Sequence, residues 1–147
     1  MDFFKELIQN RVLLIAVICW IAAQVLKVIF YSICNRQFSF ERLVGAGGMP
    51  SSHSSTVCGL MVAVGRTYGV SSPVFAMCVV FACVVMYDAT GVRRAAGEQA
   101  KVLNRMIRER DWEETQKSLK EFLGHTPLEV LAGALLGMGL AFIIPVA

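Results

Sequence analysis

Four runs of apolar residues, separated by short polar turns and by one longer polar stretch, set the pattern of this chain. The runs extend from about Val12 to Cys34, from Val57 to Val64, from Pro73 to Tyr87 and from Pro127 to about Val146. The first is long enough to cross a hydrocarbon layer of about 30 Å at roughly 1.5 Å per helical residue. The second is short for a span because Arg66 follows it closely, so we expect it to be tilted or partly re-entrant.

The longer polar stretch, residues 93–121, separates the third run from the fourth. Its apolar residues recur at helical spacing in two sets, which are Ala96, Ala100, Leu103, Met106 and Ile107 and, after Asp111, Trp112, Leu119, Phe122 and Leu123. This spacing predicts two amphipathic helices that lie on the membrane surface or pack over the spans. The predicted fold class is therefore all-α: one membrane-embedded helical bundle, residues 1–147, with about four transmembrane spans and two amphipathic surface helices between the last two.

The composition agrees with a membrane protein rather than with a soluble domain. Of the 147 residues, 56% are hydrophobic and 17% are charged, whereas about 25% of a typical soluble domain is charged. No small-residue cleavage site follows the first run, so we expect that run to remain as a transmembrane helix. The net charge of +3 is too small to predict a nucleic-acid partner, and the five scattered cysteines form no CxxC pair that would indicate a zinc site.

Basic residues are concentrated in the connections that follow the first and third runs. They are Arg36, Arg42, Arg93, Arg94, Lys101, Arg105, Arg108, Arg110, Lys117 and Lys120. The opposite side of the predicted bundle has only Lys5, Arg11 and Arg66. The positive-inside rule therefore predicts that the basic side faces the cytoplasm and that both termini lie outside.

Ionisable residues converge on one membrane face if the four runs alternate in direction. That face receives the Lys27 end of the first run, the His53 turn, the Asp88 end of the third run and the His125 turn. Ionisable side chains in a membrane are costly and usually line a site or pair with one another. His53 and His125 are the only histidines, and an imidazole that titrates near neutral pH suits proton or phosphoryl chemistry. We expect both to be rim residues rather than part of the core.

Several residues in the two histidine turns have both a structural and a functional interpretation. Gly48 ends a glycine-rich turn, and Ser51 or Ser52 can cap the next helix, but such a turn also offers backbone N–H groups to a phosphate. Thr126 and Glu129 have the spacing of a capping box, so Glu129 is either a helix cap or a partner of the neighbouring histidine.

The charged residues near the rim are open to the same two interpretations. Arg93 and Arg94 either bind a substrate phosphate or anchor the helix end at the membrane surface, and Lys27 can snorkel to that surface as well. Asp88 is expected to form an ion pair with one of the two arginines.

The two histidine turns and their order resemble a known superfamily. Pro50–Ser54, with the sequence PSSHS, resembles the Pro-Ser-Gly-His motif of the type 2 phosphatidic acid phosphatase and vanadium haloperoxidase superfamily. The segment Gly124–Gly133 resembles its last motif, in which an acid follows the histidine by four residues. The whole pattern, including Met86–Arg94, is similar to the small divergent PAP2 membrane proteins of bacteria and plastids over nearly the full chain.

This resemblance implies a metal-independent membrane phosphatase without a cofactor. Its substrate would be a lipid phosphate or pyrophosphate such as phosphatidic acid, phosphatidylglycerol phosphate or a polyprenyl (pyro)phosphate. His125 would attack the phosphorus, Glu129 would orient that imidazole, and His53 would protonate the leaving group. The residues expected to hold the phosphate are Lys27, Gly48, Ser51, Ser52, Asp88, Arg93 and Arg94. The protein is expected in a bacterial cytoplasmic membrane or a plastid membrane, with the site facing the cytoplasm.

The chain departs from the superfamily pattern at the arginines. Cys34 lies where the first motif has an arginine, and Leu119 lies where the last motif has one, so we expect Arg93 or Arg94 to take over that function. Four spans are fewer than the usual six, which favours a homo-oligomer that completes the fold. Three other functions stay open at this point: a non-catalytic phospholipid-binding or scaffold protein, a small proton-coupled transporter, and a bis-histidine haem protein.

Overall fold

The computed structural model describes residues 3–36, 48–109, 119 and 124–146, and all regular secondary structure in these ranges is α-helical. The helices are α1 (Phe3–Gln9), α2 (Arg11–Asn35), α3 (Ser52–Tyr68), α4 (Pro73–Thr90), α5 (Val92–Glu109) and α6 (Pro127–Ile143). The all-α prediction is confirmed, and α5 coincides with the first predicted amphipathic helix. The second predicted amphipathic helix, apart from Leu119, lies outside the described residues, as do Gly45–Gly47.

Polar residues in front of the apolar runs determine where four of these helices begin. The capping side chains of α2, α3, α4 and α6 belong to Asn10, Ser51, Ser72 and Thr126, and each accepts a hydrogen bond from a backbone N–H in the first turn. Such caps satisfy one of the N–H groups that lack an acceptor within the helix. Pro73 and Pro127 occupy the first turns of α4 and α6, where a proline needs no N–H donor.

Helix α3 is the centre of the bundle and packs against α2, α4 and α6. Helix α6 also contacts α2 and α4, whereas α2 and α4 do not contact each other within the described residues. Among these residues, only the segments Arg11–Cys34 and Pro73–Ile107 are long and apolar enough to cross a membrane by themselves. Helices α3 and α6 have 17 residues each, so the predicted four spans are supported for two of the four runs.

Glycine and serine residues allow α2, α3 and α6 to pack at very short range. A Cβ atom at Gly133 would overlap the carbonyl oxygen of Ser51, and one at Gly137 would overlap that of Ser55. The Ser55 hydroxyl donates to the carbonyl of Cys19 at 3.0 Å. Ser52, Ser54 and Ser55 of α3 lie in the interior, where small side chains allow close packing, and this helix is therefore less apolar than the helices around it.

The outer faces of α2, α4 and α6 are apolar and exposed. They include Leu13, Val17, Trp20, Ile21, Val25 and Phe30 of α2, Met77, Val80, Phe81 and Val84 of α4, and Leu131, Leu135 and Phe142 of α6. Apolar surface of this extent marks contact with a membrane or with another apolar partner.

Candidate active site

Two backbone hydrogen bonds bring three helix ends together. The N–H of Ser51, just before α3, donates to the carbonyl of Glu129 in α6 at 3.0 Å. The N–H of His125, just before α6, donates to the carbonyl of Ala89 near the end of α4 at 3.0 Å. The starts of α3 and α6 therefore meet the end of α4, which is the arrangement expected from alternating helix directions.

Lys27 brings the second half of α2 to the same end of the bundle. Its side chain is only 2% exposed. Gly48, in the turn before α3, has a φ of +100°, and a Cβ atom there would lie 3.3 Å from Lys27 Cγ. A glycine is required at this position because other residues rarely adopt that backbone conformation. The turn thus packs on the alkyl part of the lysine, whose charge acts on both His53 and His125.

His125 is buried, and the expectation that it is a rim residue is wrong. Its side chain is 1% exposed. The preceding Gly124 lies so close to the backbone of Arg94 that no Cβ would fit. This close approach, together with the hydrogen bond to Ala89, draws the histidine turn against the end of α4. The turn is polar in sequence, so its local composition gave no sign of this burial.

The imidazole of His125 is oriented by Glu129. Nδ1 of His125 and Oε2 of Glu129 are 3.1 Å apart. An ionised carboxylate can only accept, so Nδ1–H is the donor and Nε2 carries a free lone pair. Nε2 is buried and has no hydrogen-bond partner within the described residues. Burial holds the pKa of His125 below its ordinary value, and the charges of Lys27 and Arg93 lower it further, against the opposing effect of Glu129.

Glu129 caps α6 and orients His125 at the same time. Oε2 accepts the N–H of Thr126 at 3.0 Å, and the Thr126 hydroxyl accepts the N–H of Glu129 at 3.3 Å. The predicted capping box is confirmed. The two interpretations of Glu129 do not exclude each other, because one carboxylate oxygen reaches both the backbone and the imidazole.

His53 lies in the first turn of α3, half-buried and close to His125. The two rings meet edge to face, with centroids 6.1 Å apart and an angle of 64° between their planes. The charges of Arg93, Lys27 and Asp88 all act on His53. The two histidines therefore belong to one polar cluster together with Lys27, Arg93 and Glu129.

Ser51 and Ser52 are both buried, but the polar groups of Ser51 have structural partners. Its hydroxyl accepts the N–H of Ser54 at 3.4 Å and the hydroxyl of Ser54 at 3.1 Å. Its N–H is bonded to Glu129, as described above. The N–H groups of Ser52 and His53, in the first turn of α3, are those for which helix geometry supplies no acceptor.

The structure distinguishes Arg93 from Arg94. Nε of Arg93 donates to Oδ2 of Asp88 at 2.5 Å, and both side chains are partly exposed. Arg93 acts electrostatically on both histidines, whereas Arg94 is not among the charges that act on either ring. Arg94 instead contributes its backbone to the contact with Gly124. Asp88 is near the cluster as the ion-pair partner of Arg93.

Asn104 is a buried polar residue that the sequence did not single out. Asn104 lies within α5. Its side-chain amide donates to the carbonyl of Leu119 and accepts a hydrogen bond from the N–H of Leu119, both at 2.9 Å. These bonds hold Leu119, which precedes His125 by six residues in the sequence, against α5. The only signal in the sequence is a polar residue within an otherwise apolar stripe, between Ala100 and Ile107.

No group of three or more histidine, cysteine, aspartate or glutamate side chains suited to a metal ion occurs among residues 3–36, 48–109, 119 and 124–146. The cluster instead combines two imidazoles, one carboxylate and two cations. Such a set can bind an anion and can exchange protons with it.

Comparison with known sequences identifies the family. The profile described as the divergent PAP2 family matches residues 8–140. The chain belongs to the divergent PAP2 family. The similarity inferred from the two histidine motifs is thus confirmed for nearly the whole chain.

One relative of this divergent PAP2 protein is a protein of Bacillus subtilis (strain 168) named "Uncharacterized membrane protein YuiD". The two sequences are 41% identical over 152 residues, which cover 95% of this chain and 96% of the relative. No solved structure matches. The name of the relative and the two long apolar helices agree in indicating a membrane protein.

Proposed function

We propose that this divergent PAP2 protein is a metal-independent phosphatase that hydrolyses a lipid phosphate or pyrophosphate through a phosphohistidine. The observation that carries the proposal is the buried Nε2 of His125, which has no hydrogen-bond partner among the described residues and lies beside a second imidazole. Leaving a buried polar atom without a partner costs about 1–3 kcal/mol. Such an atom beside other ionisable groups is typical of a catalytic site.

In the first step, the Nε2 lone pair of His125 attacks the phosphorus. The bond from phosphorus to the ester oxygen breaks, and the leaving alkoxide takes a proton from the protonated His53. In the second step, a water molecule attacks the phosphorus and gives a proton to His53. The P–N bond then breaks and releases phosphate. Glu129 accepts a hydrogen bond from the Nδ1–H of His125 throughout and stabilises the positive charge that His125 carries as a phosphohistidine.

Lys27 and Arg93 are the cations that would hold the equatorial phosphate oxygens. Lys27 is buried, and its charge acts on both histidines; Arg93, in the first turn of α5, acts electrostatically on the same rings. The N-terminus of α3, at Ser52 and His53, adds backbone donors aimed at an anion. Asp88 neutralises Arg93 in the free protein and would give way to the phosphate.

A lipid substrate fits the surroundings of the cluster. The outer faces of α2, α4 and α6 are apolar and exposed, so a membrane around them would hold the hydrocarbon part of the substrate. We place α2, α3, α4 and α6 across the membrane, with the cluster near the cytoplasmic face because most basic residues follow α2 and α4 in the sequence. Phosphatidic acid, phosphatidylglycerol phosphate and polyprenyl (pyro)phosphate are the candidate substrates.

The test is phosphate release from a panel of lipid phosphates by the wild type, His53→Ala and His125→Ala. We expect both variants to lose turnover, and vanadate, which mimics the pentacoordinate phosphorus, to inhibit the wild type. Lys101→Met is a suitable control because Lys101 is exposed and paired with Glu98 at 3.0 Å. Full activity in His125→Ala would disprove a phosphohistidine at His125. No phosphate release by the wild type from any substrate would disprove catalysis.

A non-catalytic protein that binds a lipid phosphate is the second candidate. It is favoured by the absence of a charged side chain at a position where the superfamily has an arginine. Leu119 occupies that position, and its backbone is bonded to the side chain of Asn104. Such a protein would bind phosphatidic acid vesicles and lose that binding in Lys27→Met, but it would release no phosphate.

A further inference from the structure

One face of the central helix α3 is not covered by the other three helices of the bundle. Helices α2 and α4 flank α3 without touching each other in the described part of the chain. On α3, Ser55 bonds to α2 and Cys58 contacts Met86 of α4. His53, Thr56 and Leu60, at positions i, i+3 and i+7, share a remaining face and are each half-buried.

These three residues form the floor of what we name the α2–α4 gap. Its end at His53 is polar, because Lys27 of α2 and Asp88 of α4 both act electrostatically on that imidazole. Away from His53 the floor becomes apolar. The Thr56 hydroxyl donates to the carbonyl of Ser52 at 2.7 Å, so its hydrogen-bonding need is met within the helix, and Leu60 follows one turn later.

The sides of the gap belong to the two segments that are long and apolar enough to cross a membrane. Their outer faces are exposed and apolar, so a membrane around them would bring hydrocarbon to the opening between α2 and α4. Leu60 lies seven residues beyond His53, a distance of roughly 10 Å along a helix. A hydrocarbon chain attached to a phosphate at the histidines would therefore reach it.

We propose that the α2–α4 gap binds one hydrocarbon chain of the lipid phosphate, with Thr56 and Leu60 beneath the chain and the phosphate at His53 and His125. This assignment rests on the proposed function and adds the route by which the lipid reaches the site. It makes Leu60 a specificity-determining residue, because a soluble phosphate ester has no part that extends so far from the histidines.

Filling the gap tests the assignment. Leu60→Trp places a larger ring on the floor, and Leu135→Trp is the matched control on the exposed outer face of α6, where Leu135 is 59% exposed. We expect Leu60→Trp to lower kcat/KM for long-chain phosphatidic acid by at least about tenfold, as pocket contacts with alkyl groups commonly do. Hydrolysis of glycerol phosphate should change less than about twofold, and the control should leave both substrates unaffected.

The outcomes separate the two proposals. Equal loss on both substrates, or no loss on either, would overturn the role of the gap while leaving the phosphatase proposal standing. No hydrolysis by the wild type would overturn the phosphatase proposal instead. If Leu60→Trp does not fold, the milder Leu60→Ala is used, and a changed preference between long-chain and short-chain phosphatidic acids is expected.

Photolabelling tests the gap without turnover. The wild type, in phosphatidylcholine vesicles, is exposed to phosphatidic acid that carries a diazirine in its acyl chain. We expect crosslinks on the α3 peptide that contains Thr56 and Leu60, and unlabelled phosphatidic acid should compete them away. Crosslinks confined to the outer faces of α2, α4 and α6 would refute the assignment. Crosslinks in the gap without any hydrolysis would support lipid binding there and count against catalysis.

Discussion

The two ends of the bundle each contain a cation among helix termini, and they use it differently. At the end away from the histidines, Nη1 of Arg66 donates to the carbonyls of Ala141 and Ile144, the latter at 2.8 Å. A cation at a helix C-terminus stabilises the last carbonyls, which have no N–H donor within the helix. Arg66 is therefore explained by the structure of α6 alone.

At the other end, Lys27 packs against the turn that leads into α3. The starts of α3 and α6 at this end are electropositive, so they do not stabilise the buried ammonium group of Lys27. The same end contains the starts of α3 and α6 and both histidines. Arg66 thus completes a helix, and the position of Lys27 agrees with the proposal that it holds a phosphate.

Replacing Lys27 with methionine is expected to have the largest effect on turnover and tests the difference between the two ends most directly. Lys27→Met keeps the alkyl length that packs on Gly48 and removes the charge near the phosphate. We expect turnover of phosphatidic acid to fall by about a hundredfold or more, since one preorganised electrostatic contact commonly contributes this much to a transition state. Phosphate release by folded protein is the measurement. A Lys27→Met variant with the turnover of Lys101→Met would contradict the role of Lys27.

Variants of Glu129 separate its structural role in the capping box from its chemical role beside His125. Glu129→Gln can keep the capping box, which also accepts glutamine, but it removes the negative charge beside His125. We expect turnover to fall at least about tenfold with thermal stability nearly unchanged. Glu129→Ala should lose turnover and also about 1 kcal/mol of stability, because it removes the half of the capping box that accepts the Thr126 N–H. Equal stability loss in both variants would show that the charge itself is needed for folding.

Much of the architecture could be predicted from the sequence, because it depends on local patterns. Ser51, Pro73 and Thr126 mark helix starts through capping and first-turn preferences, and alternating helix directions bring the two histidines to one end. Arg93 and Arg94 could not be told apart, since the difference arises from the contact between Arg94 and Gly124.

The buried position of His125 could not be predicted for the same reason. It depends on contacts between residues distant in sequence, namely the hydrogen bond from the His125 N–H to the Ala89 carbonyl and the close approach of Gly124 to Arg94. Such contacts leave no periodic signal. Asn104 is recognisable in the sequence as a polar residue in the apolar stripe of α5. The sequence does not indicate its partner, because that partner is the backbone of Leu119.

Arg66 should behave in the opposite way to Lys27. Arg66→Met leaves the last carbonyls of α6 without their donor, so we expect a loss of about 1–2 kcal/mol in the free energy of unfolding. Turnover per folded molecule should be unchanged, because the residue lies at the far end of the bundle. Unfolding in detergent and phosphate release are measured on the same preparation. Loss of activity in fully folded Arg66→Met would remove the distinction between the two ends.

The smallest expected effect is on the pH dependence of stability at the histidine end. Burial holds the pKa of His125 below the value of 6.5 of an ordinary histidine. The unfolded chain therefore binds this proton more readily than the folded protein does. The contribution of His125 to the free energy of unfolding is complete above the unfolded-state pKa of about 6.5. It decreases as the pH falls from there toward the lower pKa of the folded protein.

Melting temperatures of the wild type and His125→Asn, measured in parallel from about pH 8 to about pH 5, isolate this contribution from that of other titrating groups. We expect the wild type to lose more stability than the variant on acidification, because asparagine cannot take up the proton. Arg66→Met, altered at the opposite end, should follow the wild type with a constant offset. A wild type that becomes more stable than His125→Asn at low pH would show that the folded protein favours the protonated imidazole. The free Nε2 lone pair on which nucleophilic attack depends would then be lost near neutral pH.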